Sequence, residues 1–342
     1  MSEANLVSVL DRPGTVRVEE RRRPVPGPGE VLVKVAAVGV CGSDVHFYEH
    51  GRIGEFVVCA PLVLGHEASG VIVERGDGAH RHELGQRVAL EPGVPCGRCA
   101  RCRAGGYNLC PEVRFFATPP IDGAFARYVV INENFAYPVP DTVTDEQAAL
   151  MEPFSVGLWA VRRAGVCAGD TVLVTGAGPI GLLAAQAARV AGAARVVVTD
   201  LSAGRRDLAL RLGADEALDA REGDLSALGA DVMLECSGAQ PAVTSGLAAV
   251  RPGGTAVLVG MGADEVTLPM SALQVREITV TGTFRYANTY PAAIALAAAG
   301  RIQLDPLVTG HYGLNQVEAA LTTGSSGEGA VKAVVHPQLD NL

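Results

Sequence analysis

Two rhythms of apolar residues divide the chain. Up to about residue 150 they come in short runs bounded by glycine and proline, at 31–38 (Val-Leu-Val-Lys-Val-Ala-Ala-Val), 70–74 and 87–91, which predicts short strands separated by turns. The stretch Pro24-Val-Pro-Gly-Pro-Gly29 cannot sit in a helix or a central strand and reads as an edge or turn. From Asp170 the pattern becomes strand, glycine turn, helix, strand, repeated. Strands are expected at 171–175, 195–200, 231–235, 255–259 and 277–281, with an alanine- and leucine-rich helix over 182–193. Continuous apolar strands alternating with helices predict a parallel sheet covered on both faces. Beyond about Thr283 the alternation weakens, and the strand-like 331–335 reads as completing the first domain. Only a short Gly/Ser run at 324–329 has low complexity.

Composition narrows the class. A chain of 342 residues has room for two domains, and 48% apolar with 19% charged content suits a globular enzyme. No apolar stretch is long enough to span a membrane, and the N-terminus lacks the basic and apolar regions of a signal peptide, so a cytoplasmic protein is expected. A net charge of −9 disfavours nucleic acid or an anionic membrane as partner. Lys34 and Lys332 are the only lysines, so nearly all positive charge is arginine. Eight cysteines in a reducing compartment point to metal more than to disulfides. Cys59, Cys167 and Cys236 fall outside any cluster and read as small buried apolar residues.

In Gly176-Ala-Gly-Pro-Ile-Gly181 each glycine has its own task. Gly176 permits the tight strand-to-helix turn, Gly178 lets the backbone approach a pyrophosphate, and Gly181 lets helix and strand pack closely. The pyrophosphate then rests on the helix N-terminus. Such a motif alone is weak evidence, but here an acid, Asp200, ends the next strand. A carboxylate there binds both ribose hydroxyls and repels a 2′-phosphate, which predicts NAD rather than NADP. Arg205, one turn into the following helix, either lies against the adenine or is solvated.

Cys96, Cys99, Cys102 and Cys110 follow a C-x2-C-x2-C-x7-C spacing. Four thiolates on one loop predict a closed, structural Zn2+ site, with an iron–sulfur cluster or redox thiols as alternatives. Cys41, His66 and Glu67 offer a thiolate, an imidazole and a carboxylate and leave a fourth position for water or substrate. That is the pattern of a catalytic Zn2+, which would acidify a coordinated alcohol. Taken alone, His66 could equally be a packed core histidine; its place beside Glu67, downstream of Cys41-Gly-Ser-Asp, favours ligation. Glu152 either reaches the same zinc, directly or through its water, or is an ordinary helix-start carboxylate. Together the motifs point to hydride transfer between an alcohol carbon and a nicotinamide.

Six stretches carry a resemblance that extends over nearly the whole chain. They are Cys41-Gly-Ser-Asp-Val-His-Phe-Tyr-Glu-His-Gly-Arg-Ile-Gly54, Leu64-Gly-His-Glu-Ala-Ser-Gly70, Phe116-Ala-Thr-Pro-Pro120, Met151-Glu-Pro-Phe-Ser-Val-Gly157, Gly176-Ala-Gly-Pro-Ile-Gly181 and Thr283-Phe-Arg-Tyr-Ala-Asn-Thr289. They resemble the zinc-dependent medium-chain dehydrogenases and, within them, the sorbitol/xylitol (polyol) dehydrogenases. The resemblance implies an α/β chain with a GroES-like, β-rich catalytic domain (residues 1–153 and 286–342) and an inserted doubly wound Rossmann sheet (154–285). It also implies a homo-oligomer, usually a tetramer. By position it makes Cys41, His66 and Glu67 zinc ligands, places Glu152 near the metal-bound water, and puts Ser43 and His46 on a proton relay. Phe47, Phe115, Arg285 and Tyr286 fall where relatives line the polyol pocket, and many relatives carry Tyr where this chain has Phe47. Ile180, Val259, Gly260, Met261, Thr283, Phe284 and Arg285 fall where relatives hold the cofactor. Some relatives lack the four-cysteine loop, which this chain keeps entire.

The expected activity is oxidation of a secondary hydroxyl of a polyol to a ketose, with hydride passing to NAD. An L-idonate- or L-threonine-type dehydrogenase on the same scaffold is the nearest rival, and Arg285 alone does not decide between them. A cofactor-binding protein without turnover is the rival from another class; the intact Cys41/His66/Glu67 set argues against it.

Overall fold

The computed structural model describes residues 4–326 and 329–339; the chain's first and last three residues and part of the Gly/Ser run at 324–329 lie outside them. The chain forms two units, Met1–Glu152 with Tyr290–Gly300 and Leu304–Leu342, and Pro153–Thr289 with Arg301–Gln303. The return to the first unit therefore falls at Tyr290, later than the expected 286. Local bonds explain the shift: the Asn288 carbonyl accepts from Arg162 Nη1 at 2.8 Å, and Gln303 exchanges backbone bonds with the Gln186 side chain at 2.7 and 3.0 Å.

In the first unit one seven-stranded sheet runs in the order Ala136–Pro138, Arg87–Leu90, Glu67–Arg75, Glu30–Gly39, Lys332–His336, Val308–Gly313, with Tyr128–Asn132 also paired to Glu30–Gly39. Val31, Val33 and Val35 of the central strand are fully buried, which is why its apolar run is so legible. A smaller sheet of Thr15–Arg21, Asn5–Arg12 and Leu62–Val63 was not evident from the pattern, because Thr-Val-Arg-Val-Glu-Glu-Arg is a polar, partly exposed edge strand without an apolar run.

Register decides what this sheet presents at one end. Gly39 pairs with Glu67 across one side and with Val334 across the other. Cys41 lies two residues past the central strand, Glu67 opens one neighbour, and Lys332 opens the other. Residues far apart in sequence thus meet at a single sheet end.

The second unit is built on six parallel strands in the order Glu216–Asp219, Arg195–Asp200, Thr171–Thr175, Ala230–Glu235, Val250–Leu258, Thr279–Gly282. The chain winds outward from Thr171–Thr175 to one edge, then returns to build the other half, so strand order reverses beside that strand. The expected helix begins earlier, at Pro179, where Gly178 caps it and proline occupies its first turn. It stops at Ala191 because Gly192 adopts a left-handed conformation. The strand expected at 255–259 starts at Val250 instead, with a register slip against Ala230–Glu235. Strand Glu216–Asp219 was missed; its Glu-Ala-Leu-Asp sequence is a half-buried edge without β-branched residues.

Among the described residues no helix is long and apolar enough to cross a membrane. Cys59 and Cys167 are exposed, contrary to the buried role expected of them, and Cys236 is half-buried. Both exposed thiols lie in loops, and the Cys167 amide donates to Asp170 at 2.8 Å.

The pairing of Gly39 with Glu67 generates a test. A Cβ on Gly39 would occupy the space of the Glu67 carboxylate, so Gly39→Ala is expected to displace that carboxylate while leaving the fold. Zinc analysis of the variant should show loss of the ion expected at Cys41, His66 and Glu67, with its circular dichroism unchanged.

Candidate active site and cofactor site

Cys41 caps the helix Gly42–His50. Asp44, fully buried in its first turn, accepts from the Cys41 amide and from the Gly65 amide, both at 2.9 Å. One carboxylate thereby ties the two ligand-bearing loops together. Gly65 has φ +86°, and any side chain there would strike the Phe125 ring, so the turn that presents His66 requires glycine. His66 Nδ1 sits 3.7 Å from Asp44 Oδ1, an electrostatic contact that favours a ring orientation suited to metal. Donor atoms of Cys41, His66 and Glu67 all lie within 4.8 Å of one another.

Glu67 is fully buried, and both its oxygens face the buried Lys332 ammonium, at 2.7 and 2.9 Å. Lys332 Nζ also donates to the Val40 carbonyl at 2.8 Å. A carboxylate oxygen has two lone-pair directions, so it can serve an ammonium and a metal together. Burial disfavours charge on Lys332, but Glu67 and then Cys41 outweigh it and hold the ammonium above the usual lysine range. Burial likewise opposes a charged His66, yet the Cys41 sulfur and the Asp44 carboxylate hold it well above its ordinary range. The pocket is thus an anionic, desolvated trap whose donor set fits a zinc-type cation.

Around this cluster the expected residues are distributed unevenly. The Phe115 ring lies 5.6 Å from the His66 ring and walls the site on its apolar side. Ser43 and His46 are half-buried, three residues apart on the helix that Cys41 caps. Phe47, from the same helix, packs into the unit's apolar core and is only 4% exposed. Glu152, buried in the first turn of the helix Met151–Ala164, shares its electrostatic surroundings with Lys332 and Glu91.

The four-cysteine loop is organised for a metal. Sγ of Cys102 lies 3.4 Å from that of Cys99 and 4.0 Å from that of Cys96, spacings that bracket the roughly 3.8 Å edge of a tetrahedron with zinc–sulfur bonds near 2.3 Å. Amides of Cys96, Cys99 and Cys102 each donate to a cysteine sulfur at 3.4 Å, and all eight cysteines are free. Amides of Arg98 and Cys99 pull Cys96 down to about 7, whereas desolvation and neighbouring thiols push Cys102 up to about 12. Four thiolates cannot share this loop without a cation to neutralise them.

In the second unit the glycine turn has the geometry its motif requires. Gly176 has φ +91° and a Cβ there would press on Ser237, while a Cβ on Gly181 would enter the Gly176 carbonyl. Asp200 accepts from the amides of Ala177 (2.7 Å) and Ser202 (2.8 Å), which fixes its carboxylate beside the turn. Ile180 lies in the first turn of the helix that follows. The amides of Val259 and Gly260 both donate to the Glu235 carbonyl at 2.8 Å, and Thr283 is anchored to Leu258 at 3.1 Å. Met261 and Phe284 are exposed. The Arg285 guanidinium stacks 4.7 Å over the Phe284 ring, and Tyr286 is buried. These groups follow the carboxyl ends of the parallel strands, where open α/β sheets bind ligands. Arg205 is half-buried on the neighbouring helix, but Arg206 is the residue that reaches the Asp200 carbonyl, at 2.8 Å.

Reading the sequence missed Asp44, Lys332, Arg206 and Glu91. A lone lysine in the apolar run Val331-Lys-Ala-Val-Val335 was the available signal for Lys332. Glu91 is buried and accepts from Tyr107 at 2.7 Å, and burial pushes its carboxyl up to about 7 from the ordinary 4.5. With the folded pKa above the unfolded one, its stabilising contribution is full below about pH 4.5 and is lost as pH rises through about 7, a swing of roughly 3 kcal/mol. Glu91→Gln keeps the acceptor for Tyr107 and removes this titration. It should unfold at a higher temperature than the parent near pH 8, with the gap closing toward about pH 5 in thermal melts at a series of pH values.

Comparison with known proteins agrees with this geometry. Residues 27–141 match the alcohol dehydrogenase GroES-like domain and residues 179–299 the zinc-binding dehydrogenase domain. Sorbitol dehydrogenase of Gallus gallus is 47% identical over 95% of this chain and 94% of its own length, and that of Homo sapiens is 45% identical with the same coverage. The solved structure of L-idonate 5-dehydrogenase from Escherichia coli superposes with a TM-score of 0.93 at 32% identity, covering 98% of this chain and 99% of that one. With two metal-fitting clusters on a GroES-like unit and a dinucleotide turn on a parallel sheet, the chain belongs to the sorbitol dehydrogenase family of zinc-binding alcohol dehydrogenases, oxidoreductases with zinc and a nicotinamide dinucleotide as cofactors.

Proposed function

We propose that the protein is an NAD-dependent polyol dehydrogenase that oxidises a secondary hydroxyl of a sorbitol- or xylitol-like polyol to a ketose. The observation that carries this reading is the convergence of Cys41, His66 and Glu67 at one sheet end, with Glu67 braced by Lys332. When bound, zinc supplies the Lewis acidity that lets a hydroxyl ionise near neutral pH, and NAD is the hydride acceptor. Cys41, His66 and Glu67 would hold the ion, with Asp44 orienting His66 and Lys332 fixing the carboxylate. Ser43 takes the substrate proton and His46 passes it toward solvent. Phe115 keeps water off the reacting face. Glu152 binds a substrate hydroxyl or the water it replaces. Cys96, Cys99, Cys102 and Cys110 would hold a second zinc, which would pin their loop. Phe47 supports this site from the core, as its burial favours. Gly176, Gly178 and Gly181 would admit the pyrophosphate of NAD, and Ile180, Val259, Gly260, Met261, Thr283, Phe284 and Arg205 would hold the rest of the cofactor. Arg285 and Tyr286 recognise hydroxyls beyond the reacting carbon. The family resemblance and eight free cysteines support a homotetramer working in the cytoplasm. The likeness to L-idonate 5-dehydrogenase keeps one second reading, in which Arg285 receives a substrate carboxylate.

Initial rates with NAD over sorbitol, xylitol, ribitol, galactitol, L-idonate, L-threonine and 2-butanol separate these readings. A site that hydrogen-bonds several hydroxyls leaves buried donors unpaired when they are missing, so polyols should exceed 2-butanol in kcat/KM by at least about a hundredfold. Arg285→Ala should erase most of that advantage. Equal efficiency on sorbitol and 2-butanol would reassign the protein to simple secondary alcohols, and a preference for L-idonate would favour the second reading.

Cofactor choice rests on Asp200. Its fixed carboxylate would face a 2′-phosphate, so NAD should be preferred by well over about tenfold, at about 1.4 kcal/mol per factor of ten. Asp200→Ala should weaken NAD and narrow the gap to NADP, as measured by kcat/KM for each cofactor.

A further inference from the structure

A third set of metal-seeking side chains lies in the first unit, apart from the two clusters above. Glu146 comes from the short helix Asp145–Ala149, His311 from the strand Val308–Gly313, and His336 from the end of the strand Lys332–His336. Glu146 Oε1 is 2.9 Å from His311 Nδ1 and 3.0 Å from His336 Nε2, and those two nitrogens are 3.5 Å apart. The three donor atoms form a triangle with two short edges and one longer one.

Its dimensions suit a cation. Zinc holds imidazole nitrogen and carboxylate oxygen at 2.0–2.2 Å, which sets tetrahedral ligand spacings of roughly 3.3–3.5 Å. One edge of the triangle already has that length, and the other two need to open by only a few tenths of an ångström. With both facing nitrogens protonated, the two N–H groups share the two lone pairs of Glu146 Oε1, and a divalent cation would take the place of those protons. The parallel register that pairs His311 with Val334 and Gly313 with His336 fixes both imidazoles in this arrangement, with the rings stacked at 5.7 Å.

The site can also be reached from solution. The side chains of His311, Glu146 and His336 are 51%, 28% and 19% exposed, and they border a hollow of about 550 Å³ with room for water as a fourth ligand. Asp305 lines the same hollow and adds negative charge, whereas Asp145 there is matched by Arg87 at 2.7 Å.

We propose that Glu146, His311 and His336 form a third site, for a divalent transition cation of the zinc type, that clamps the C-terminal strands of the first unit to its Asp145–Ala149 helix. Two imidazoles and one carboxylate suit zinc, nickel or copper rather than magnesium or calcium. Such an ion would join residue 146 to residues 311 and 336, the two ends of a unit whose chain is interrupted by residues 153–289. A cation that binds only the folded protein stabilises it by mass action. The inference does not depend on which alcohol the enzyme oxidises.

The test uses holoenzyme that keeps its tightly held zinc after gel filtration, titrated with zinc chloride by calorimetry and followed by metal analysis and thermal melts. The parent should bind one further zinc per chain with micromolar affinity and melt at a higher temperature as zinc is added. The double variant His311→Ala/His336→Ala should keep its tightly held zinc and its activity, bind no further ion, and show no zinc-dependent shift in melting. Should that variant fold poorly, Glu146→Gln supplies the same reading, with the extra affinity weakened by at least about tenfold. Absence of further binding in the parent up to about 100 µM zinc, or equal binding by parent and variants, would overturn the proposal.

Discussion

The Lys332–Glu67 pair is the constraint on which the metal-binding end of the first unit depends. Both groups are buried, and they come from positions 265 residues apart in the chain. Taking two charges out of water costs several kcal/mol per ion, so such a pair adds little net stability. Its value lies in orientation. With the ammonium on one side and the space left by Gly39 on another, the carboxylate has one direction open to it, toward Cys41 and His66. Asp44 does the same for the opposite wall by tying the amides of Cys41 and Gly65 to one carboxylate.

The two units solve ligand placement in different ways. In the second, ligand-facing groups follow the carboxyl ends of parallel strands, and a single glycine turn does most of the work, so the site is local in sequence. In the first, antiparallel register brings together residues 41, 66, 67 and 332, and no short motif contains the site. The four-cysteine loop is an intermediate case: local in sequence, but its thiolates can be ionised together only by a cation.

This contrast explains what could be read from the sequence. Five of the six Rossmann strands, the glycine turn and Asp200 were legible because continuous apolar runs and glycine spacing encode them directly. Cys41, His66 and Glu67 could be picked out by chemical type. Their supports could not, because Lys332 and Asp44 act through register and burial, which residue spacing does not reveal. The hairpin strand Thr15–Arg21 escaped notice because charged residues separate and follow its valines, and the edge strand Glu216–Asp219 because it has no β-branched residue. Cys59 and Cys167 were misjudged for a related reason: cysteine is usually buried, but loop position outweighs that preference.

The first unit's divided chain also fixes the order in which the protein can be completed during translation. At about 5–20 residues per second, roughly 15–60 seconds separate the emergence of Gly39 from that of Lys332. Throughout that interval the strand Glu30–Gly39 has one side open where Lys332–His336 will pair, and Ala37 lacks the cover later given by Val334. Every expected ligand of both zinc sites has been synthesised by residue 110, yet Glu67 has no counter-charge until Lys332 follows it, 265 residues later. A chain interrupted anywhere between residues 110 and 332 would carry all seven ligands and still lack the residue that aims one of them.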